Sequence, residues 1–403
     1  MSEDANRLTV VDLFSGCGGM SSGFFRRSDR FRIIGAVDKQ VAKPSSARAK
    51  KASTHCNATY EANIGLRPKA ADLASLDPFA LRAELGLSRG DLGVLISCAP
   101  CTGFSQKNAR NHIEDDPRNG LVSRTGDFVA EFMPAFLVME NVKELLKGNQ
   151  LHHFEALSSR LRRLGYDVWA NAHDLSDFGL PQRRTRALVV ARRDGKASGP
   201  NPTKTATGPR RTVRDAIGHL PALEAGNTHP DDPMHRSPNL TDPTLARLQS
   251  IPRDGGSWAD VMKDCRFTEE AKRRLLTPGM FTARPGSFPD VYGRLWWDRP
   301  AITITRECGH VGNGRYSHPE QDRLLTVREM AILQGFPASY TFAGPLVAKY
   351  NQIGDAVPPL IARIVADHIA LLADGSSLAA PDEHTAEQYE MPWPRARVPA
   401  VAA

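Results

Sequence analysis

The chain has 403 residues, 41% of them hydrophobic and 24% charged, a balance that excludes a disordered or fibrous chain and a small disulfide-dependent scaffold. A formal net charge of +7 and an isoelectric point near 9.1 favour a polyanionic partner. No apolar run in the sequence approaches the ~20 residues of a membrane span, and the opening MSEDANRLTV lacks the basic and apolar parts of a signal peptide, so a cytoplasmic protein is expected. Six scattered cysteines, Cys17, Cys56, Cys98, Cys101, Cys265 and Cys308, are too few for a disulfide framework and agree with a reducing compartment.

Leu8 to Phe14 predicts a buried strand running into the small-residue turn Ser15-Gly16-Cys17-Gly18-Gly19 and a helix toward Phe25. A second strand, Phe31 to Val37, ends at Asp38. Short apolar runs at Val94 to Ser97, Phe136 to Glu140 and Arg186 to Ala191 predict three more strands. Between the last two, Leu151, Phe154, Leu157, Leu161 and Leu164 share one face of a helix that Gly165 terminates. This alternation predicts an α/β domain, a mostly parallel sheet with helices on both faces. From Gly195 the stretch GKASGPNPTKTATGPRR reads as a linker, and Thr212 to about Arg299 is rich in Pro, Gly and Arg with weak periodicity. Thr326-Val327-Arg328-Glu329 has capping-box spacing and opens a helix that stops at Gly335-Phe336-Pro337. A last helix starts at Pro358-Pro359, and the Ala- and Pro-rich tail from Asp374 is expected to be disordered.

The first turn carries Gly16, Gly18, Gly19 and Gly23, letting backbone approach a ligand at the C-terminal end of a strand, where ligands bind in open α/β sheets. The spacing is not G-x-G-x-x-G, because Ser21 holds the sixth position, so a nucleoside ligand other than a dinucleotide is favoured. Asp38 closes the second strand, where a carboxylate can accept from ribose hydroxyls; a tight turn and a solvated acid account for these two features equally well. Cys98-Ala99-Pro100-Cys101 follows an apolar strand and admits a redox dithiol, half a zinc site, a buried structural cysteine or a nucleophilic thiolate at Cys101. No second cysteine pair or His-x-x-x-His partner extends the zinc reading, so no metal is expected. Glu140-Asn141-Val142 ends an apolar run, where a partly desolvated carboxyl group can donate a proton or simply cap the next helix. Gln182-Arg183-Arg184-Thr185-Arg186 sets Arg184 and Arg186 on one side of the following strand, able to clamp an anion or a base edge or to form surface ion pairs.

In this order and spacing the motifs resemble the DNA cytosine-5 methyltransferase family. Asp12-Leu13-Phe14-Ser15-Gly16-Cys17-Gly18-Gly19 looks like its cofactor loop, Pro100-Cys101 its nucleophile motif, Glu140-Asn141-Val142 its acid motif and Gln182 to Arg186 its arginine motif. Arg323 to Glu329 with Gln334-Gly335-Phe336-Pro337 resembles the late scaffold motif, and Gly354-Asp355-Ala356-Val357-Pro358-Pro359 the closing one. The resemblance spans roughly Leu8 to Arg193 and Pro300 to Leu372. It departs from the family at Cys98-Ala99, at Thr102 in place of glutamine, at Asp38 in place of glutamate and at Asp355 in place of asparagine.

The resemblance implies a Rossmann-like class I methyltransferase fold with a smaller, irregular target-recognition domain. The domains would be 1–194 catalytic, 195–211 linker, 212–338 target recognition, 339–373 a closing segment packed back on the catalytic domain, and 374–403 a tail. It implies S-adenosyl-L-methionine as methyl donor, bound by Phe14, Ser15, Gly16, Cys17, Gly18, Gly19, Asp38, Lys39, Asp72, Leu73, Pro100, Asp355 and Ala356. Cys101 would attack C6 of a flipped cytosine, Glu140 would protonate N3, Arg186 would hold O2 with Arg184 in support, and Ser105, Gln106 and Asn141 would contact the substrate. The implied partner is double-stranded DNA, with a cognate restriction endonuclease acting on the same site, for a monomer near the nucleoid of a prokaryote or its phage. Two other readings use the same residues: a tRNA cytosine-5 methyltransferase and a catalytically silent DNA-binding relative. The long recognition region favours duplex DNA over the first, and the set Cys101, Glu140, Arg184 and Arg186 exceeds what binding alone needs.

Overall fold

A computed structural model describes residues 7–41, 53–100, 120–148, 151–202, 209–282 and 290–375. In chain order the first half runs β1 Leu8–Leu13, α1 Gly19–Phe25, β2 Phe31–Asp38, α2 Cys56–Ile64, β3 Lys69–Ala70, α3 Pro78–Glu84, β4 Val94–Ser97, α4 Gly120–Phe132, β5 Phe136–Val142, α5 Leu151–Arg163, β6 Asp167–Asp174 and β7 Thr185–Arg192. Seven strands form one sheet in the order β3-β2-β1-β4-β5-β7-β6. Neighbours from β3 to β5 pair in parallel, while β7 runs antiparallel between β5 and β6.

The period-two alternation of the strands divides two cores. Val11, Leu13, Leu95, Leu137 and Met139 face α3, α4 and α5, packing with Leu81, Phe128, Val129, Leu157 and Leu161. Val10, Val94, Ile96, Phe136 and Val138 face the opposite way, onto Met20 and Phe24 of α1. The partner of α1 on that face is the chain's last helix, residues Pro359–Ala373, which brings Leu360, Ile361, Val365, Ala366 and Ile369 under the sheet. Strands buried on both sides read as continuous apolar runs, which is why β4 and β5 were visible in sequence. Half-exposed β6, where Val168 and Trp169 are followed only by small or polar residues, has no such run.

The second half contains α6 Val213–Ile217, the hairpin β8 Thr228–His229 and β9 Asp232–Arg236, α7 Asp242–Ser250, α8 Trp258–Lys263, α9 Glu269–Leu275, α10 Pro278–Thr282, α11 Val327–Leu333, α12 Leu346–Asp355 and the final helix, α13 Pro359–Ala373. A third core unites Val213, Leu248, Trp258, Leu295, Trp297, Ile304, Leu325 and Met330. It continues through Tyr340, Phe342, Tyr350 and Ile353, so the sequence boundary at residue 338 falls inside one packed body. The closing segment is thus shared: α12 belongs to this core and α13 to the sheet.

The capping box opens α11 as its spacing requires. Thr326 Oγ1 accepts from Glu329 N at 3.1 Å and Glu329 Oε2 accepts from Thr326 N at 2.7 Å. The same carboxylate takes two bonds from Arg323 at 2.7 and 2.8 Å, and both side chains are fully buried. The apolar stretch Leu346–Ala373 is long enough to cross a membrane, but it is α12 and α13 parted at Val357-Pro358, with 67% of its most apolar window buried in the protein.

Candidate active site

Parallel register aligns the ends of the central strands. Leu13 lies beside Val37 and Ser97, and Asp38 beside Ala70, so Phe14, Asp38, Asp72 and Cys98 leave the sheet along one edge. Strand order reverses direction at β1 and β4, and the crevice there is where an open α/β sheet binds ligand.

On the β1 side the turn is strained. Phe14 adopts a left-handed conformation with φ 61°, which a bulky side chain holds only where its surroundings enforce it. Ser15 N donates to Val37 O at 3.0 Å, and Asp38 accepts from Gly16 N at 3.1 Å and from Gln40 N at 2.6 Å. Burial raises the pKa of Asp38, opposed by these backbone donors. Beneath the turn, Asp12 Oδ2 accepts from Ser21 Oγ at 2.6 Å, and Ser21 Oγ accepts from Tyr60 OH at 2.7 Å. Burial pushes Asp12 up to about 7 against the pull of Ser21. Asp12 Oδ1 and Ser15 Oγ are buried and have no hydrogen-bond partner among the described residues.

The glycines divide into two groups. Among the described residues a Cβ at Gly16, φ 53°, would meet nothing nearer than Phe14 O at 4.0 Å. A Cβ at Gly19 would lie 2.3 Å from Val357 O, and one at Gly23 would lie 2.2 Å from the Ala362 backbone. Gly19 and Gly23 therefore admit the chain's own closing segment, whereas the sequence assigned their freedom to a ligand. Cys17 is buried in the same contact: its Sγ meets Gln352 O at 3.5 Å and its carbonyl accepts from Tyr340 OH at 2.5 Å, the tyrosine hydroxyl also crowding Gly18.

Lys39 and Asp72 form an ion pair past the ends of β2 and β3, and Asp72 Oδ1 also accepts from Ala74 N at 3.1 Å. Leu73 is buried in the sheet core, against which Phe14 also packs, and its carbonyl accepts from Arg124 Nε at 3.2 Å. Asp355 pairs with Arg306. The Ala356 carbonyl accepts from Gln334 Nε2 at 2.8 Å and from Arg184 Nη2 at 3.3 Å.

On the other side of the crevice Glu140 sits within β5 rather than beyond it, 8% exposed. Its direct partner across the ladder is Leu188, and Arg186 stands two residues earlier on β7, a diagonal neighbour whose Nε reaches Glu140 Oε1 at 3.1 Å. Glu140 N donates to Cys98 Sγ at 3.4 Å, and Asn141 Nδ2 donates to Ala99 O at 3.1 Å. Burial drives the Cys98 thiol well above its ordinary range, the reverse of what a redox dithiol needs. Pro100 is exposed at the end of this segment. Cys101, Ser105 and Gln106 lie outside the described residues.

The chain matches the family described as C-5 cytosine-specific DNA methylase over residues 8–370. It belongs to that family. The Type II methylase M.HgiDII of Herpetosiphon aurantiacus is 33% identical over 375 residues, covering 91% of this chain and 96% of its own length. The Type II methyltransferase M1.HphI of Haemophilus parahaemolyticus is 32% identical over 368 residues, covering 90% and 86%. Among solved structures, the Entamoeba histolytica methyltransferase EhMeth superposes with a TM-score of 0.59 at 15% identity over 92% of this chain and 99% of its own. The S. pombe Dnmt2 methyltransferase does so at 0.57 and 18%, over 92% and 99%. These two share the fold, and the match to the family makes the chain a DNA cytosine-5 methyltransferase acting on DNA with a methyl donor.

In this methylase Arg184 and Arg186 do not share a face of one strand as their alternation suggested. Arg184 precedes β7, is 3% exposed, and donates to Ile304 O at 2.9 Å and to Ala356 O, joining the sheet to the third core. Gln182 completes the joint, donating to Gln334 Oε1 at 2.7 Å and accepting from Ile304 N at 2.9 Å. Asn141, read as a base contact, is 2% exposed and holds the segment ahead of Pro100. Sequence reasoning missed Ser21, Tyr60 and Tyr340, because ordinary helix and loop residues acquire these roles only through tertiary contacts, 9, 39 and 323 positions along the chain.

Proposed function

We propose that this methylase methylates C5 of a cytosine flipped out of duplex DNA, with S-adenosyl-L-methionine as donor and Cys101 as nucleophile. The observation that carries the reading is the Glu140–Arg186 pair, a carboxyl group and a guanidinium held 3.1 Å apart at the β5–β7 edge, one hydrogen bond from the segment leading to Pro100 and Cys101.

Cytosine C5 is a poor nucleophile, and only addition of the Cys101 thiolate at C6 breaks the ring's aromaticity. Glu140 would deliver a proton to N3 as charge develops there, and Arg186 would hold O2 while keeping the Glu140 carboxyl in register. Once C5 carries the methyl group, loss of the C5 proton to water, return of the N3 proton to Glu140 and departure of Cys101 as thiolate restore the base. The target must leave the stack, at a cost of about a few kcal/mol, because C6 is reached only from the face of the ring.

The donor fits the opposite side of the crevice. Phe14 would stack on adenine, Asp38 would take the ribose hydroxyls, Asp72 and Lys39 would line the adenine end, and the orphaned oxygens of Asp12 and Ser15 would receive polar groups beside the open Gly16. S-adenosyl-L-methionine, when bound there, supplies the electrophilic methyl group that C5 receives.

Residues 212–338 would read the DNA sequence, reached through the linker 195–211, with 339–373 tying that region to the catalytic sheet through α12 and α13. Of the arginines in the recognition region, Arg236, Arg253, Arg266, Arg273 and Arg274 are donors suited to guanine edges or phosphates, whereas Arg247 is buried and donates to Leu275 O at 2.6 Å. The Type II names of the relatives support a cognate restriction endonuclease as partner in a bacterial cytoplasm, with this chain acting as a monomer. Cys101→Ser tests the reading: methyl transfer to duplex DNA should vanish while donor binding persists, and 5-fluorocytosine DNA should trap the wild type covalently but not the variant. Retained turnover by Cys101→Ser would overturn it.

A further inference from the structure

Three buried links connect the glycine turn to the distant hairpin β8–β9. The Cys17 carbonyl, inside the turn, accepts from Tyr340 OH at 2.5 Å. The Tyr340 carbonyl accepts from Arg328 Nη1 at 3.1 Å. Arg328 then grips Asp232, the first residue of β9, with Nε at 2.7 Å and Nη2 at 3.1 Å. Tyr340, Arg328 and Asp232 are 3%, 4% and 7% exposed, so little water can replace a broken link. Releasing any one leaves a buried polar group unsatisfied, and the chain therefore moves as a unit.

The links are also held sideways. The Tyr340 ring packs on Phe336 at 4.7 Å and on Phe342 at 5.4 Å, and its hydroxyl lies 2.8 Å from where a Gly18 Cβ would stand. Burial keeps that phenol protonated, hence a donor. Arg328 is fixed at the start of α11, beside the buried Thr326–Glu329 box, and His235 of β9 bonds Thr326 Oγ1 at 3.0 Å.

We propose that Tyr340 and Arg328 are positioning residues that hold the β8–β9 hairpin to the methyl-donor turn, so that occupancy of the turn is felt as tightening of the hairpin. The proposal rests on the reading of the turn as the donor site and of the hairpin as part of the recognition region. Ordering of the turn fixes the Cys17 carbonyl, which fixes the Tyr340 hydroxyl and, through Arg328, the backbone of β9. An effector changes a distant element only through such differential contacts.

The test is hydrogen exchange on the full chain with and without S-adenosylhomocysteine, with binding checked by calorimetry. In the wild type, exchange should slow at residues 14–19 and also, by about fivefold or more, at residues 228–236, the low end of ordinary coupling between sites. Tyr340→Phe should bind the ligand and protect the turn but lose the hairpin response, and Arg328→Lys, which keeps the charge and loses the fork, should lose most of it. Asn63→Ala cuts a neighbouring tie, from α2 to Thr341 beside Tyr340, and should keep the response, which separates positioning from general loosening. Ligand binding with an unresponsive wild-type hairpin, or an undiminished response in Tyr340→Phe, overturns the proposal alone. Absence of calorimetric binding to the wild type overturns the donor-site reading and the proposal with it.

Discussion

Arg186 Nε stands 3.1 Å from Glu140 Oε1 across the antiparallel β5–β7 ladder, and both side chains are largely shielded from solvent. Because β7 is the one strand of the seven that runs against its neighbours, its first residues arrive at the edge where β5 ends its apolar run. Antiparallel insertion is what brings a residue 46 positions downstream onto the Glu140 carboxyl.

This pairing predicts two separable losses. Glu140→Gln keeps size and shape but cannot hand over a proton, so kcat for tritiated methyl incorporation should fall about 10²-fold to 10⁴-fold. Arg186→Lys replaces a fork with a point charge and should cost about 10²-fold in kcat, with the KM for the methyl donor nearly unchanged. Wild-type kcat in Glu140→Gln would remove Glu140 from the chemistry.

Cys98→Ala removes the sulfur that accepts from Glu140 N, so stability should drop by about 1 kcal/mol while substantial methyl transfer remains. A redox dithiol would make Cys98 indispensable. Comparing turnover of Cys98→Ala with that of Cys101→Ser under fixed reductant decides between the two.

Much of this site was legible because strand ends carry it. Phe14, Asp38 and Glu140 each lie at or near the end of an apolar run, and runs buried on both faces declare themselves in sequence. Arg184 was misplaced for the opposite reason. Residue alternation says which way a strand residue points, but Arg184 lies before β7, and its partners Ile304 and Ala356 are 120 and 172 positions away. The same limit hid the meaning of Gly19 and Gly23: a glycine that admits a ligand and one that admits another segment of its own chain look alike until the fold is closed.

The joint at Arg184 carries its own prediction. Arg184→Ala leaves the Ile304 carbonyl, and part of the need of the Ala356 carbonyl, unmet in a buried place, a loss of about 1–3 kcal/mol. The thermal midpoint should fall and DNA affinity should weaken more than donor affinity, because the contact joins the sheet to the third core. A variant with unchanged stability and a pure kcat defect would instead make Arg184 a base contact.

The glycine groups should separate in the same way. Gly19→Ala and Gly23→Ala drive a methyl group into the backbone of the closing segment, and each should destabilise the fold by about 1–3 kcal/mol, as overpacking does. Gly16→Ala meets open space and carries only the strain of a left-handed residue, on the order of 1 kcal/mol, so its main effect should be on donor binding. Calorimetric titration with S-adenosylhomocysteine beside thermal unfolding measures both quantities, and a reversal of the two patterns would misassign the turn.

The buried charges beside α11 set the response to acid. Burial holds His318 down to about 3 from an ordinary 6.5, against the attraction of Glu329. A base whose folded pKa is depressed binds its proton more readily when unfolded, so its contribution is complete above about pH 6.5 and drains away as pH falls toward 3. Glu329 lies at about 2 against an ordinary 4.5; burial raises it, and the paired Arg323 charge and hydrogen bonds overcome that burial. Its contribution is complete above about 4.5 and is lost as pH falls through 2. In urea unfolding the His318 and Glu329 contributions should therefore be lost in two overlapping stages, His318 first and Glu329 below it, while buried Asp12 and Asp355, raised to about 7 and about 6, act with the opposite sign above about pH 4. His318→Gln should flatten the stage between pH 6.5 and 4.5 while leaving the lower one, and Glu329→Gln should abolish the lower stage but start from a less stable protein, because Arg323 is left buried without its counter-charge. A difference between the wild-type and His318→Gln profiles that stays constant from pH 6.5 to 4.5 would show that His318 does not titrate with unfolding.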